Sequence, residues 1–368
     1  MTLIKKTMMS LKNFPLIKAF SSLKITVTCL TLLFILVFWG TIDQVENGLY
    51  HAQEQFFHSF FFLAFGFLPF PGAQLVLWIL FVNLLCVALT RFVYGWSKIG
   101  ILIIHFGLLT YFISAFVTLH CVEESQLTLK EGETSNVSSA YHDWELAVWK
   151  QEGKKKQVIA YDAKNFKPGR VLDFSEHGFK VQVKNYYPNA RPDLQSIEPS
   201  KEPEKNIPGG EFLIKIKNQK ELPLQLFGAD EMATSLQIGQ ETYRFLLRRK
   251  RTPLPLTVKL IDFIKENHPN TDIARSYKSK VEIESNGLSR ETIIFMNNPL
   301  RYKNYTFYQA SYSVVAQGRE SSTLAVVKNS GRLLPYIASL TMFAGLVVHF
   351  LSMAFGSRNK IRAKEEYV

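Results

Sequence analysis

The residue with the clearest chemical potential is a histidine inside a long apolar segment. His105 lies in the segment 99–118, about six residues from its start, and this segment is long and apolar enough to span a membrane as a helix. An ionisable side chain at such a depth is costly, and a neutral imidazole is a common ligand of haem iron. We therefore interpret His105 as a haem-iron ligand. The alternative is an imidazole that is hydrogen-bonded to a neighbouring helix.

Two further histidines are candidates for the same chemistry. His349 lies in the last apolar segment, 334–355, about six residues before its end. If both segments meet the same membrane face, His105 and His349 each lie about 9 Å inside it. Equal depth suits two ligands of one haem iron, and it suits a simple polar contact between helices equally well. His120 follows the span of His105, where it would line a haem exit path or lie among lipid headgroups.

Other motifs mainly exclude functions. The sequence has no Gly-x-Ser-x-Gly, His-Glu-x-x-His, Cys-x-x-Cys-His or glycine-rich phosphate loop, which argues against a hydrolase or a kinase. Its three cysteines form no Cys-x-x-Cys pair, which argues against thiol chemistry. The basic run Arg248–Arg251 would meet an acidic partner or haem propionates, or would simply be a solvated strand end.

The distribution of charge predicts a membrane topology rather than a nucleic-acid partner. The net charge is +12, but much of the basic excess flanks apolar spans. The spans are predicted at 25–40, 74–90, 99–118 and 334–355, with a basic arm at 1–24, a loop at 91–98 and a tail at 356–368. The loop 41–73 contains no lysine or arginine. The positive-inside rule therefore predicts four transmembrane helices with both termini in the cytoplasm, the first helix acting as a signal anchor.

Two segments outside these spans have their own predicted structure. The phenylalanine-rich stretch 56–70 is too short and interrupted for a span, so we predict an interfacial helix in the extracytoplasmic loop. Residues 119–333 show short alternating runs between turn residues, with Asn286-Gly287 placed as a hairpin connection. They predict a large extracytoplasmic β-rich domain, sandwich-like in architecture, between the third and fourth spans.

Several local sequences, in their order and spacing, resemble one known family. They are Gly40-Thr41, Phe70-Pro71-Gly72, Val82-Asn83-Leu84-Leu85, His105-Phe106-Gly107, Met296–Tyr302 and Tyr305–Tyr312. Together with three spans, a large extracytoplasmic domain and a fourth span, they are similar to the ResB (CcsB) proteins of cytochrome c biogenesis. The segment 130–280 contributes no motif to this resemblance.

The resemblance implies a stand-alone subunit of a cytochrome c synthetase in the bacterial cytoplasmic (inner) membrane. With a ResC (CcsA) partner it would move haem b across the membrane and present it to apocytochrome c for thioether formation. His105 would be a transmembrane haem ligand whose mate comes from the partner, which weakens the case for His349. The subunit itself would be non-catalytic or hold half a site, and a thiol-reducing thioredoxin-like protein is a further implied partner.

Two other functions remain open from the sequence. One is a membrane scaffold or receptor whose β domain binds a protein and whose histidines are structural. The other is a b-type cytochrome that relays electrons through His105 and His349, which would hold haem without any partner.

Overall fold

A computed structural model describes residues 14–90, 98–152, 155–193, 196–200, 202, 206–216, 220–271, 273–314 and 320–365. The chain divides into a helical unit, formed by the residues up to 122 and from 330 onwards, and a β unit of residues 123–329. Most of the predicted arm, loop and tail at 1–24, 91–98 and 356–368 lies outside the described residues or their described side chains.

Four helices of the described chain are long and apolar enough to cross a membrane, and a short helix precedes them. They are α1 (Pro15–Phe20), α2 (Leu23–Ala52), α3 (Ala73–Thr90), α4 (Ile99–Cys121) and α5 (Leu334–Glu365). The span within α5 is Leu334–Phe355. Three such helices before the β unit and one after it confirm the predicted fold class.

The helix α2 extends well beyond the predicted span 25–40. It reaches Ala52 and continues into a π-helical turn at Gln53–Phe57. Gly48 interrupts the helical geometry with φ 81° and ψ 157°, a conformation that a residue with a Cβ rarely adopts. The polar residues after Gly40 therefore do not end the helix.

The predicted interfacial helix at 56–70 is wrong, because most of this stretch forms a β hairpin. Its strands are β1 (Phe61–Ala64) and β2 (Leu68–Pro71), which pair antiparallel. Phe62 and Ala64 are buried while their neighbours in β1 are exposed, which is the alternation of a strand. Trp39 of α2 lies 5.4–5.9 Å, between ring centroids, from Phe56, Phe62, Phe65 and Phe70. Packing on this indole favours the hairpin over a helix.

A buried asparagine of α3 forms hydrogen bonds to the start of α2. The side chain of Asn83 is 2% exposed, and its amide donates to the backbone oxygens of Phe20 and Ser22. Its side-chain oxygen accepts a hydrogen bond of 2.7 Å from Thr26. Asn83 therefore satisfies carbonyl groups at the break between α1 and α2, which an apolar environment would otherwise leave unpaired.

The β unit contains antiparallel strands in a small sheet, a large sheet and a short β8–β9 hairpin. The strands are β3 (Glu123–Lys130), β4 (Thr134–Glu152), β5 (Lys155–Asp162), β6 (Val171–Phe174), β7 (Phe179–Tyr187), β8 (Ala190–Pro192), β9 (Ile197–Pro199), β10 (Gly209–Ile216), β11 (Leu222–Phe227), β12 (Thr234–Ile238), β13 (Glu241–Asn267), β14 (Ala274–Ser285), β15 (Leu288–Phe295), β16 (Leu300–Tyr302), β17 (Tyr305–Val314) and β18 (Glu320–Lys328). The small sheet has the order β11-β10-β7-β6. The large sheet has the order β15-β14-β13-β4-β3-β18-β17-β16, with β12 on β13 and β5 on β4.

Two hydrophobic cores stabilise this unit. The first lies between the small sheet and the part of the large sheet formed by β5, β4, β12 and the first half of β13, which is a sandwich. The second is enclosed by β3, β14, β15, β17, β18 and the second half of β13. The strand β13 therefore contributes side chains to both cores.

The predicted hairpin at Asn286-Gly287 is confirmed. β14 and β15 pair from Ser285 with Leu288 onward, and the two residues between them have φ of 53° and 75°. Two successive positive φ values are those of a type I′ turn, whose twist matches that of the strands.

Candidate functional site

The helices α4 and α5 pack closely and antiparallel through small residues. A Cβ placed on Gly107 would lie 2.5 Å from the Met342 side chain, and one on Gly345 would lie 2.8 Å from the backbone nitrogen of Ile104. At the other end, a Cβ on Gly100 would lie 2.5 Å from the backbone nitrogen of His349. Glycine at these positions permits the close approach, as is usual between membrane helices. We call this contact the glycine seam.

His105 is held in one tautomer by its own helix. Its Nδ1 lies 2.8 Å from the backbone oxygen of Ile101, one turn earlier in α4. A carbonyl oxygen can only accept, so Nδ1 carries the proton and Nε2 carries the lone pair of the neutral imidazole. This is the arrangement of a metal-ligating histidine whose second nitrogen is oriented by a backbone carbonyl. The half-buried ring of His105 is therefore chemically suited to donate Nε2 to an iron atom.

His105 lies on the face of α4 that packs against α3, away from the glycine seam. At about 100° per residue it is roughly 130° around the axis from the seam, and it shares a face with Phe112 and Phe116. The ring of Phe116 stacks on Trp78 of α3 at 4.0 Å, and Phe112 lies 6.1 Å from Phe81. The imidazole therefore projects on the α3 side of α4.

His349 lies on the seam, and the equal depth predicted for the two histidines is not found. Its backbone is level with Gly100, whereas His105 is five residues further along α4, about 7.5 Å deeper. The prediction was wrong because it counted residues from the ends of the two apolar segments, and these ends do not lie level with each other. The Nδ1 of His349 is buried, without a hydrogen-bond partner among the described atoms. The α4–α5 pair alone does not direct the two imidazoles to one point.

The third candidate, His120, is exposed in the last turn of α4. It lies about 22 Å along the axis from His105, so the two cannot share one iron. Elsewhere in the helical unit, His58 is paired with Glu54 at 2.8 Å. Among the described residues, no group of three or more histidine, cysteine, aspartate or glutamate side chains could hold a metal ion.

The basic run Arg248–Arg251 lies inside β13, and the predicted solvated strand end is wrong. Arg248 donates from Nε and Nη2 to Glu145, at 2.9 and 2.8 Å, and both side chains are largely buried. Arg249 lies over the Trp144 ring at 4.2 Å and donates to a backbone oxygen of β4. Lys250 donates to Asp162 at 2.6 Å. Three of the four charges are therefore matched by groups on β4 and β5.

The charges of Lys250 and Asp162 stabilise each other. The hydrogen bond to Asp162 raises the pKa of Lys250. Burial of Asp162 works in the opposite sense, yet the hydrogen bonds from Lys250 and from the Lys164 backbone hold the pKa of Asp162 below its ordinary value.

A cleft on the β unit was not found from the sequence. It is lined by Trp149 of β4 and Arg244 of β13, which are 95 residues apart in the chain and become neighbours only through strand pairing. The sequence did contain one signal of the cleft, because Arg244 and Arg248 are four residues apart in an alternating strand. This spacing places both arginines on the same side of the sheet.

These features define a class of membrane protein: four helices that could span a bilayer, an intramembrane histidine in a fixed tautomer, and a β-rich unit inserted before the last helix. The model of the ResB-like family matches residues 229–320, from just before β12 to the first residue of β18. Protein NrfI of Wolinella succinogenes is 31% identical over 101 residues, which are 27% of this chain and 11% of that relative.

The match to the ResB-like family model supports the resemblance predicted from the local sequences. The matched region includes Met296–Tyr302 and Tyr305–Tyr312, but it also covers β13, where the sequence offered no motif.

Proposed function

We propose that this chain is the subunit of a membrane cytochrome c assembly complex that carries a haem ligand within the bilayer. The complex moves haem across the membrane and presents it for thioether attachment to apocytochrome c. In this proposal His105 binds the haem iron through Nε2. The subunit lies in the bacterial inner membrane, with both termini in the cytoplasm and the β unit outside.

The hydrogen bond from His105 Nδ1 to the Ile101 oxygen carries this proposal. It supports ligation because it fixes the tautomer and orients the ring. A histidine kept only for helix packing would gain from the same bond, and the haem content of a His105 variant separates the two roles. The match to the ResB-like family is the reason why we propose haem as the metal group.

A second ligand for the haem iron is proposed to come from a ResC (CcsA) partner that docks beside His105. Two observations favour a partner over His349. The glycine seam directs His349 toward α4 at the level of Gly100, and His105 projects on another face about 7.5 Å deeper. His349 remains a lower-ranked second ligand, and His120 a candidate for the outer end of the haem path.

The chemistry of attachment is proposed to lie outside this chain. Each thioether forms when a substrate cysteine sulfur adds across a haem vinyl group, which needs both cysteines in their thiol form. A thiol-reducing thioredoxin-like protein would maintain that form. This chain then supplies a ligand that holds the haem in place, and the described part of it offers no acid–base pair aimed at such a reaction.

The experiment compares haem content in the full chain co-expressed with its partner and purified as a complex. His105→Ala is expected to remove most of the Soret absorbance per mole of complex. Thr110→Val is the matched control, since Thr110 makes the same kind of side-chain bond, to the Phe106 oxygen one turn earlier in α4. The control should keep its haem.

Three results would decide between the functions. Unchanged haem in His105→Ala would overturn the ligand assignment. Stoichiometric haem in the chain purified alone, dependent on both His105 and His349, would favour a b-type electron carrier. Normal covalent haem attachment to c-type cytochromes in a strain that lacks the gene would favour a scaffold with structural histidines.

A further inference from the structure

The cleft lies on the outer face of the first half of the large sheet. It has a volume of about 500 Å³, and its lining includes Trp149, Val158, Met232, Arg244, Leu246 and Arg251. Tyr243, Phe245 and Leu247 point from β13 into the first core. The alternation of a strand therefore places Arg244, Leu246 and Arg248 on the opposite face, toward the cleft.

The pairing of strands makes the residues at the floor of the cleft neighbours. Trp149 of β4 is directly opposite Arg244 of β13 on one side and Val158 of β5 on the other. Arg244 is itself opposite Ser235 of β12. The backbones of Trp149 and Arg244 are thus paired on both sides within the sheet. A ligand here would be recognised by side chains rather than by addition of a strand.

The charge of the cleft is positive and only partly compensated. Arg248 is neutralised by Glu145, its cross-strand partner on β4, and Glu231 is an exposed acid in the lining. Within the described residues, neither Arg244 nor Arg251 forms an ion pair. Partial burial lowers the pKa of Arg251, and Arg248 beside it acts in the same direction. An anion bound at Arg251 would relieve its repulsion with Arg248.

The rest of the lining is apolar and accessible. Met232, in the segment before β12, is 85% exposed, and Val158 is 41% exposed. Trp149 is only 8% exposed and also lines the cleft. The cleft therefore combines an exposed methionine with Arg244 and Arg251, which form no ion pair among the described residues. It is complementary to a ligand that is apolar on one side and anionic on the other.

We propose that this cleft binds a flat amphipathic carboxylate, with its carboxylates on Arg244 and Arg251 and its apolar body against Met232, Val158 and Trp149. Haem, with two propionates on one edge of an apolar macrocycle, has this chemistry. The identification of haem as the natural ligand rests on the proposed function. The binding of an amphipathic carboxylate in the cleft does not depend on that function. The cleft would be a second haem position, on the β unit, distinct from that of His105.

The test is a titration of the full chain in lipid nanodiscs with ferric haem, using empty nanodiscs as the blank. The His105→Ala background removes the contribution of the membrane ligand. Arg244→Gln combined with Arg251→Gln is expected to raise the Kd about 100-fold, because each charge-assisted hydrogen bond contributes roughly tenfold to the affinity. Arg290→Gln, an exposed arginine of β15 outside the cleft, should bind as the unaltered protein does.

Three further measurements keep the result interpretable. The dimethyl ester of the porphyrin lacks the carboxylates and should bind the unaltered cleft as weakly as the acid binds the double variant. Arg244→Lys with Arg251→Lys retains the charge and should restore much of the binding, which a merely unfolded variant would not do. Binding should also weaken as salt is raised.

The outcomes separate the two proposals. Equal Kd values for the double glutamine variant and its parent would overturn the cleft proposal while leaving His105 untouched. Cleft-dependent binding, combined with normal haem content in His105→Ala complexes, would support the cleft and overturn the ligand assignment. Binding of an acidic peptide with no binding of haem would overturn the cleft proposal in favour of a protein partner.

Discussion

The backbone of His349 packs directly on Gly100, so that a Cβ on this glycine would lie 2.5 Å from the His349 nitrogen and 2.6 Å from its Cα. The contact is between two backbones, which no rotamer change can relieve. It fixes the level of α5 against α4 and, with it, the separation between His349 and His105. The position of the second histidine therefore depends on a glycine in another helix.

The first prediction concerns that glycine. Gly100→Ala should force α4 and α5 apart and destabilise the helical unit by about 1–3 kcal/mol, the usual cost of overpacking. Thermal unfolding of the full chain in detergent measures the loss. Ala115→Leu adds a larger group to an exposed position of α4, so it should have little effect. A Gly100→Ala protein as stable as its parent would contradict the close backbone contact.

The second prediction concerns Asn83. Asn83→Leu removes the hydrogen bonds to Phe20, Ser22 and Thr26, and it leaves two carbonyl oxygens unsatisfied where water is scarce. We expect a loss of about 1–3 kcal/mol in the same assay. Thr31→Val removes a bond within a single helix at an exposed position and should cost far less. Equal effects of the two changes would show that Asn83 is not an anchor.

The third prediction concerns the buried pair Arg248–Glu145. Arg248→Ala leaves the carboxylate of Glu145 uncompensated, which should cost about 3–5 kcal/mol in urea unfolding of the full chain. Adding Glu145→Leu should recover much of that loss, because the isolated charge is then gone. Arg191→Ala breaks an exposed pair with Glu198 and should cost less than about 1 kcal/mol. A double variant no better than Arg248→Ala would contradict the charge explanation.

The fourth prediction concerns acid pH. The pKa of Asp162 in the folded protein is below its ordinary value of 3.8, so ionised Asp162 stabilises the fold above that pH. The stabilisation should disappear as pH falls through the folded value. The stability difference between the parent and Asp162→Asn should therefore shrink in acid, as urea midpoints at several pH values would show. Asp193→Asn, at an exposed site with no ion pair among described residues, should show no such trend.

Some structural features could be predicted from short stretches of sequence, because these features depend only on residues that are close together in the chain. Apolar length defined the spans, and Asn286-Gly287 defined a turn that needs two positive φ values. The resemblance to the ResB-like family could also be recognised from short motifs. The role of His105 could be proposed because burial of an ionisable group in lipid is costly wherever it occurs.

Other features depend on distant partners and were mispredicted for that reason. Arg248 and Lys250 are paired with acids 103 and 88 residues away, so their run looked solvated. The stretch 56–70 looked helical because apolar runs do not reveal their period, although Gly66 and Pro69 were signals of a turn and a strand edge. The level of His349 depends on how two helices slide past each other, which residue counts cannot show.

The shared strand β13 has a consequence for how the β unit unfolds. Its 27 residues, Glu241–Asn267, supply side chains to both hydrophobic cores. Neither core can lose its packing without releasing part of the same strand, so the two should open as a single cooperative unit. Amide hydrogen exchange would then give similar opening free energies in β7 and in β17, although these strands belong to different sheets. A destabilising change at one core would lower the protection of amides in the other.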